Sequence, residues 1–155
     1  MMHFAEYESP LGRLLLQSNG QALTGLRFGG KQEVSGEEDR ILKETARWLD
    51  AYFRGENPPV VIPLAPAGTD FQKQVWQCLR EIPCGTVRSY GEIAREMALR
   101  MGRKTMSAQA VGQAVGRNPI AVMIPCHRVV GSRGELTGYA WGIDKKKWLL
   151  ELEKK

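Results

Sequence analysis

Ser89 to Gly116 reads SYGEIAREMALRMGRKTMSAQAVGQAVG. Two short apolar-periodic runs, each opened by a serine, flank the basic turn Gly102-Arg103-Lys104-Thr105. They predict one helix from Tyr90 to about Met101, capped by Ser89, and a second capped by Ser107 and ending near Gly116. Two short helices on a tight glycine-containing turn make a helix-turn-helix. In the second, Ala108, Val111, Ala114 and Val115 share the side expected to be buried, and Gln109, Gly112, Gln113 and Gly116 recur on the opposite face. A glycine inside a helix costs about 1 kcal/mol relative to alanine. A face of glycines and short amides lets another backbone approach closely, so it reads either as a seam against another helix or as a face for nucleic acid.

Immediately downstream, Ile120 to Val130 reads IAVMIPCHRVV, an apolar strand-like run that ends in Pro125 and then presents Cys126, His127 and Arg128. A cysteine attacks as its thiolate, and a neighbouring imidazole or cation lowers its pKa from about 8.5. Consecutive residues of an extended strand point to opposite faces. Thiol and imidazole therefore need a water between them or a sharp bend after Pro125, with a carboxylate orienting the far ring nitrogen. Asp144, Glu151 and Glu153 are the carboxylates nearest in sequence. On the residues alone, a nucleophile and a buried structural thiol both stand.

Working outward, His3–Tyr7, Leu14–Gln17 and Ala22–Phe28 read as an antiparallel meander, with Asn19-Gly20 as the strongest hairpin signal. Ser35 and Glu38 form a capping box for a helix whose stripe is Ile41, Leu42, Thr45, Trp48, Leu49, Tyr52 and Phe53, stopped by Gly55. The proline-rich Asn57–Gly68 reads as a strand plus linker. A second capping box, Thr69 and Gln72, opens a helix that buries Phe71, Val75, Cys78, Leu79 and Ile82. Leu136–Gly142 is a glycine-rich loop with two aromatics, and Asp144 is expected to cap a last helix carrying Trp148, Leu149 and Leu152. The fold class is α+β, with a small antiparallel-sheet-plus-helix lobe at 1–66 and a helix-turn-helix domain at 67–155.

At 155 residues the chain holds one compact domain or two small lobes. Residues 1–70 carry 7 Lys/Arg against 10 Asp/Glu, and residues 71–155 carry 15 against 7. The basic second part suits a polyanion such as nucleic acid. The N-terminus lacks a basic region followed by an apolar core, and no window holds the roughly 18 apolar residues of a membrane span, so a cytoplasmic protein is expected. Three cysteines without framework spacing fit a reducing compartment, and with His3 and His127 as the two histidines no metal is expected.

From Asp70 to Glu153 the sequence resembles the O6-alkylguanine-DNA alkyltransferases, through FQKQVWQCLREIPCGTVRSYGEIA, AVGQAVGRNPIAVMIPCHRVVG and GELTGYAWGIDKKKWLLELE. IPCHRVVG is highly specific to that family. The resemblance implies a ribonuclease H-like first lobe, a winged-helix-like second domain and stoichiometric repair without a cofactor. Double-stranded DNA containing O6-alkylguanine would be held through its minor groove and the damaged base flipped out, with O4-methylthymine as a further substrate. Cys126 would accept the alkyl group, His127 would act as base through a water, Glu153 would orient His127, and Asn118 would brace the turn before the cysteine. Ser89, Tyr90, Gln109, Ala110, Gly112, Gln113, Gly116, Arg117 and Arg128 would belong to the DNA-binding set, Arg128 also with an internal bonding role. Tyr90, Val129, Tyr139, Ala140, Trp141 and Lys146 would line the pocket, Tyr139 at the leaving oxygen. A single acceptor cysteine needs no partner subunit, so a monomer is expected.

Gln109 departs from the arginine that many members place there, which puts the filling of the vacated base stack in question. Trp141 stands where some relatives have a small residue and is expected to narrow the pocket toward small alkyl groups. The competing readings are an alkyltransferase-like lesion binder, which Cys126 argues against, a Cys-His hydrolase and a plain transcription regulator.

Overall fold

The computed structural model describes residues 2–30, 34 and 39–155. The chain divides into two compact units, Met1–Ala67 with Pro119–Ala121, and Gly68–Asn118 with Val122–Lys155. Among the described residues no helix is long and apolar enough to cross a membrane.

Unit 1 is a three-stranded antiparallel sheet, β1 (His3–Ser9), β2 (Gly12–Ser18) and β3 (Leu23–Phe28) in that order, with one helix, α1 (Arg40–Phe53). The expected meander forms because its turns carry their own hydrogen bonds: Asn19 Oδ1 accepts from the amides of Gln21 and Ala22 at 2.9 and 2.8 Å. The capping box expected at Ser35 and Glu38 lies outside the described residues. The cap observed on α1 is Asp39, whose Oδ1 accepts from the Leu42 amide at 3.1 Å. Ile41, Leu42, Thr45, Trp48, Leu49 and Tyr52 are buried as the periodicity demands. The expected strand in Asn57–Gly68 shrinks to one parallel bridge, Leu64 with Leu23, because Pro58, Pro59, Pro63 and Pro66 cannot donate to a ladder. A second segment also pairs with β3: Leu26 N–H donates to Pro119 O at 3.0 Å, and Ala121 N–H donates to Leu26 O at 2.8 Å.

Unit 2 contains α2 (Asp70–Arg80), β4 (Arg88–Ser89), α3 (Tyr90–Arg100), α4 (Ala108–Gly116), a 3-10 turn at Cys126–Arg128, β5 (Val129–Val130) and α5 (Ile143–Glu153). Both expected caps of the helix pair are present. Ser89 and Glu92 make a full capping box on α3, and Ser107 Oγ accepts from the Ala110 amide on α4. Thr69 and Gln72 do the same for α2. Val111, Ala114 and Val115 are buried, but Ala108 is exposed, since it is the first residue of α4 and lies before the stripe turns inward.

Three further expectations change. Ile120–Val130 is not a strand: Ile120 makes a single bridge, a turn follows, Cys126–Arg128 coils into the 3-10 turn, and only Val129–Val130 pair, parallel to Arg88–Ser89. The last helix begins two residues early, with Gly142 at its N-cap at φ 110° and Asp144 inside the first turn, where a carboxylate suits the helix dipole. Phe71 is only half-buried, and the large side chain inside α2 is Trp76, 1% exposed, with Nε1 donating to Ala114 O at 2.8 Å. Gly68 makes room for that ring, since a Cβ there would stand 2.5 Å from its edge. Trp76→Phe keeps an aromatic ring but removes the indole donor from Ala114 O, which retains the Arg117 N–H at 3.2 Å, and leaves a void in a fully buried site, so it is expected to lower stability by about 1–3 kcal/mol. The urea midpoint, read at an unchanged slope, measures it.

Candidate active site

Asn118, 3% exposed just beyond α4, donates from Nδ2 to Ile124 O at 2.8 Å. The same carbonyl accepts the Cys126 N–H at 2.8 Å across Pro125, whose φ −81° and ψ 64° make an inverse γ-turn. Arg128 N–H then donates to Pro125 O at 2.9 Å, closing the 3-10 turn. This is the sharp bend that the Cys-His juxtaposition required. Even so, the imidazole Nδ1 of His127 makes no hydrogen bond to the thiol or to any other described group, although it is buried.

The other imidazole nitrogen meets α5. His127 Nε2 lies 2.6 Å from Glu153 Oε2. Arg128 donates to the same carboxylate, Nε to Oε1 at 2.8 Å and an Nη to Oε2 at 3.0 Å, and its other Nη donates to Ile82 O at 2.7 Å. The Glu153 side chain is 1% exposed, so it is an internal ion rather than a solvated terminal carboxylate. Burial raises its pKa, but the bonds from His127 and Arg128 outweigh that and hold it at about 2. Burial pushes the His127 pKa down against the opposing pull of Glu153, which leaves the ring neutral at pH 7. With the carboxylate ionised, the Nε2 proton points at Glu153 and Nδ1 carries the lone pair. Burial pushes the Cys126 thiol up to about 11, with Asn118, Lys146 and the amides of Cys126 and His127 pulling the other way. At neutral pH the thiol is protonated beside a neutral base.

The rim of the site comes from the loop before α5. Lys146 is fully buried and donates from Nζ to Thr137 O at 2.7 Å, with its charge 5.9 Å from the centre of the Tyr90 ring. Tyr90 Oη donates to the same carbonyl at 3.2 Å. Tyr139 is 8% exposed with a buried hydroxyl that has no protein partner among the described residues, and Trp141 meets its ring edge-on at 5.4 Å. Val129 is wholly buried and Ala140 is exposed.

The opposite face of α4 is open. Gln109, Gln113, Gly116 and Arg117 are exposed, while Ala110 and Gly112 are half-buried. A Cβ added at Gly116 would meet nothing within 4 Å, so the fold itself does not require that glycine. A groove of about 570 Å³ runs beside this face, between α4 and the start of α2. Ser89 spends its hydroxyl on capping α3. Arg128 requires a correction: its side chain is 11% exposed and its guanidinium is occupied by Glu153 and Ile82, so it braces the turn from inside and does not belong with the DNA-facing residues. Sequence reasoning missed the carbonyls of Ile82, Ile124 and Thr137, which carry no side-chain signature.

Residues 2–66 match the family model described as the ribonuclease-like domain of 6-O-methylguanine DNA methyltransferase, and residues 70–155 match that of its DNA binding domain. The chain belongs to this family. Two 6-O-methylguanine DNA methyltransferase relatives, both named methylated-DNA--protein-cysteine methyltransferase, come from Methanosarcina acetivorans and Methanosarcina barkeri. They are 44% and 47% identical, over 98% of this chain and 98% and 97% of theirs. The crystal structure of Mycobacterium tuberculosis O6-methylguanine methyltransferase aligns at TM-score 0.83 and 43% identity, covering 99% of this chain and 93% of that one. That of M. tuberculosis OGT in complex with DNA aligns at 0.85 and 43%, covering 98% and 92%.

Because the folded pKa of Glu153 lies below its unfolded value, its stabilising effect is complete above about pH 4.5 and is lost as pH falls through about 2. Linkage puts it on the order of 3 kcal/mol at neutral pH. In urea titrations across that range, Glu153→Gln should be less stable than wild type at pH 7 and show a flatter dependence between those two values.

Proposed function

We propose that this protein repairs alkylated duplex DNA directly, moving the alkyl group from O6 of guanine onto Cys126 in a single irreversible displacement. The observation that carries the reading is the acceptor turn itself: a buried thiol followed by an imidazole whose tautomer Glu153 fixes, leaving Nδ1 as the basic nitrogen. The thiol proton passes to His127 Nδ1 through a water, and the sulfur attacks the alkyl carbon. The S–C bond forms as the C–O6 bond breaks, the bonding pair stays on O6, and the proton ends on guanine. No step returns the sulfur to a thiol, so each molecule acts once.

The base reaches the sulfur by flipping out of the duplex. The open face of α4 suits the minor groove, with Gln109 at its leading end to occupy part of the vacated stack. Tyr90, Val129, Tyr139, Ala140, Trp141 and Lys146 line the pocket, with the Tyr139 hydroxyl directed to the leaving O6. A protonated thiol in the free protein also guards the single acceptor from electrophiles in solution.

Intact mass and peptide mapping after incubation with DNA carrying O6-methylguanine should show one methyl per chain, on Cys126, with unmodified guanine in the DNA. Lesion-selective binding without mass gain would instead establish a non-transferring lesion binder. The helix face has its own test. Gly116→Ala should raise the stability of the free protein by roughly 0.5–1 kcal/mol while weakening DNA binding in a fluorescence titration, because the new methyl stands where the groove must approach.

A further inference from the structure

Val122 carries a left-handed backbone at φ 69°, and the only other non-glycine residue there among those described is Asn57. Asparagine tolerates the region, whereas a β-branched residue does not. The Val122 side chain is 1% exposed, packed in the run that leads to the cysteine.

The conformation is imposed from both ends. Upstream, the two hydrogen bonds of Leu26 to Pro119 and Ala121 fix the chain as far as Ala121. Downstream, Asn118 Nδ2 holds Ile124 O, and that carbonyl holds the Cys126 amide. Only Val122 and Met123 lie between these fixed points. The chain must reverse within them, and the reversal forces Val122 out of its preferred region. Released at either end, a valine so placed relaxes toward extended backbone and takes Ile124 with it.

Resting on the alkyl-transfer reading, we propose that the left-handed backbone kink at position 122 sets the place of the Cys126 sulfur, and that the strain of carrying it on a valine is what makes the restraint from Asn118 necessary. On this account Asn118 restrains that strain in addition to its direct pull on the thiol, and the part of its loss that comes from strain should vanish once the strain is gone. Glycine at 122 adopts the same φ freely.

The test is a double-mutant cycle with two readouts. The first is single-turnover transfer from a duplex carrying O6-methylguanine at saturating DNA. The second is the pH profile of Cys126 alkylation by iodoacetamide without DNA. Val122→Gly should transfer within about threefold of wild type, and Asn118→Ser should be slower by about 100-fold. The double variant should recover at least about tenfold over Asn118→Ser. The iodoacetamide profile should be displaced in Asn118→Ser and return only part of the way in the double variant, because the direct pull of Asn118 on the thiol is absent from both. Should Asn118→Ser prove unfolded by circular dichroism, Asn118→Asp removes the donor without changing volume. An equal loss from the Asn118 change in both backgrounds would overturn the inference, as would Val122→Gly alone being as slow as Asn118→Ser. A wild type that transfers nothing would remove the functional reading instead, and the iodoacetamide profiles would then decide the role of Val122.

Discussion

A carboxylate with 1% of its side chain exposed must be matched by donors or it will not remain ionised, and the arrangement of unit 2 around Glu153 follows from that demand. Arg128 and His127, adjacent on one 3-10 turn, both reach it. For that to happen the end of α5 must stand against the turn, and Arg128 must also grip Ile82 O just beyond α2. The ion therefore ties three stretches distant in sequence. It also fixes which imidazole nitrogen carries the proton, so a packing requirement and a chemical one are met by the same three side chains.

Cys126 is placed by backbone more than by side chains. The Ile124 carbonyl receives the Asn118 amide on one side and the Cys126 N–H on the other, and Pro125 sets the angle between them. The thiol thus inherits its position from a chain reversal fixed at several points. A left-handed valine, worth about 1–3 kcal/mol of strain, persists only where the surroundings over-determine it. That such a residue lies four positions before the cysteine is consistent with the usual concentration of strain at functional sites.

What was legible in the sequence was what local chemistry encodes. The Thr69–Gln72 box and the serines before Tyr90 and Ala108 mark their helices because a cap needs only residues near it in sequence. The open α4 face was readable from the spacing of its glycines and glutamines. Ile120–Val130 was misread as a strand because Ile120 to Ile124 are all buried on every side, which erases the alternation that separates strand from turn. Valine also argues by propensity against the conformation Val122 adopts. Arg128 was set among the DNA-facing residues through the resemblance, and the buried partner that turns it inward, twenty-five residues away, leaves no local signal. The Thr137 carbonyl, which joins Tyr90 to Lys146, has no signature at all in the identity of residue 137.

Pro119–Ala121 belongs to unit 1 although both its flanks belong to unit 2. The two units are therefore interleaved along the chain instead of following one another. A cut in the proline-rich segment near residue 67 would not excise two self-sufficient pieces. It would leave β3 with an unsatisfied edge at Leu26, and the segment that leads into Cys126 without its anchor. Gene fusions or split designs of this protein should therefore keep Pro119–Ala121 on the same uninterrupted chain as the sheet it completes.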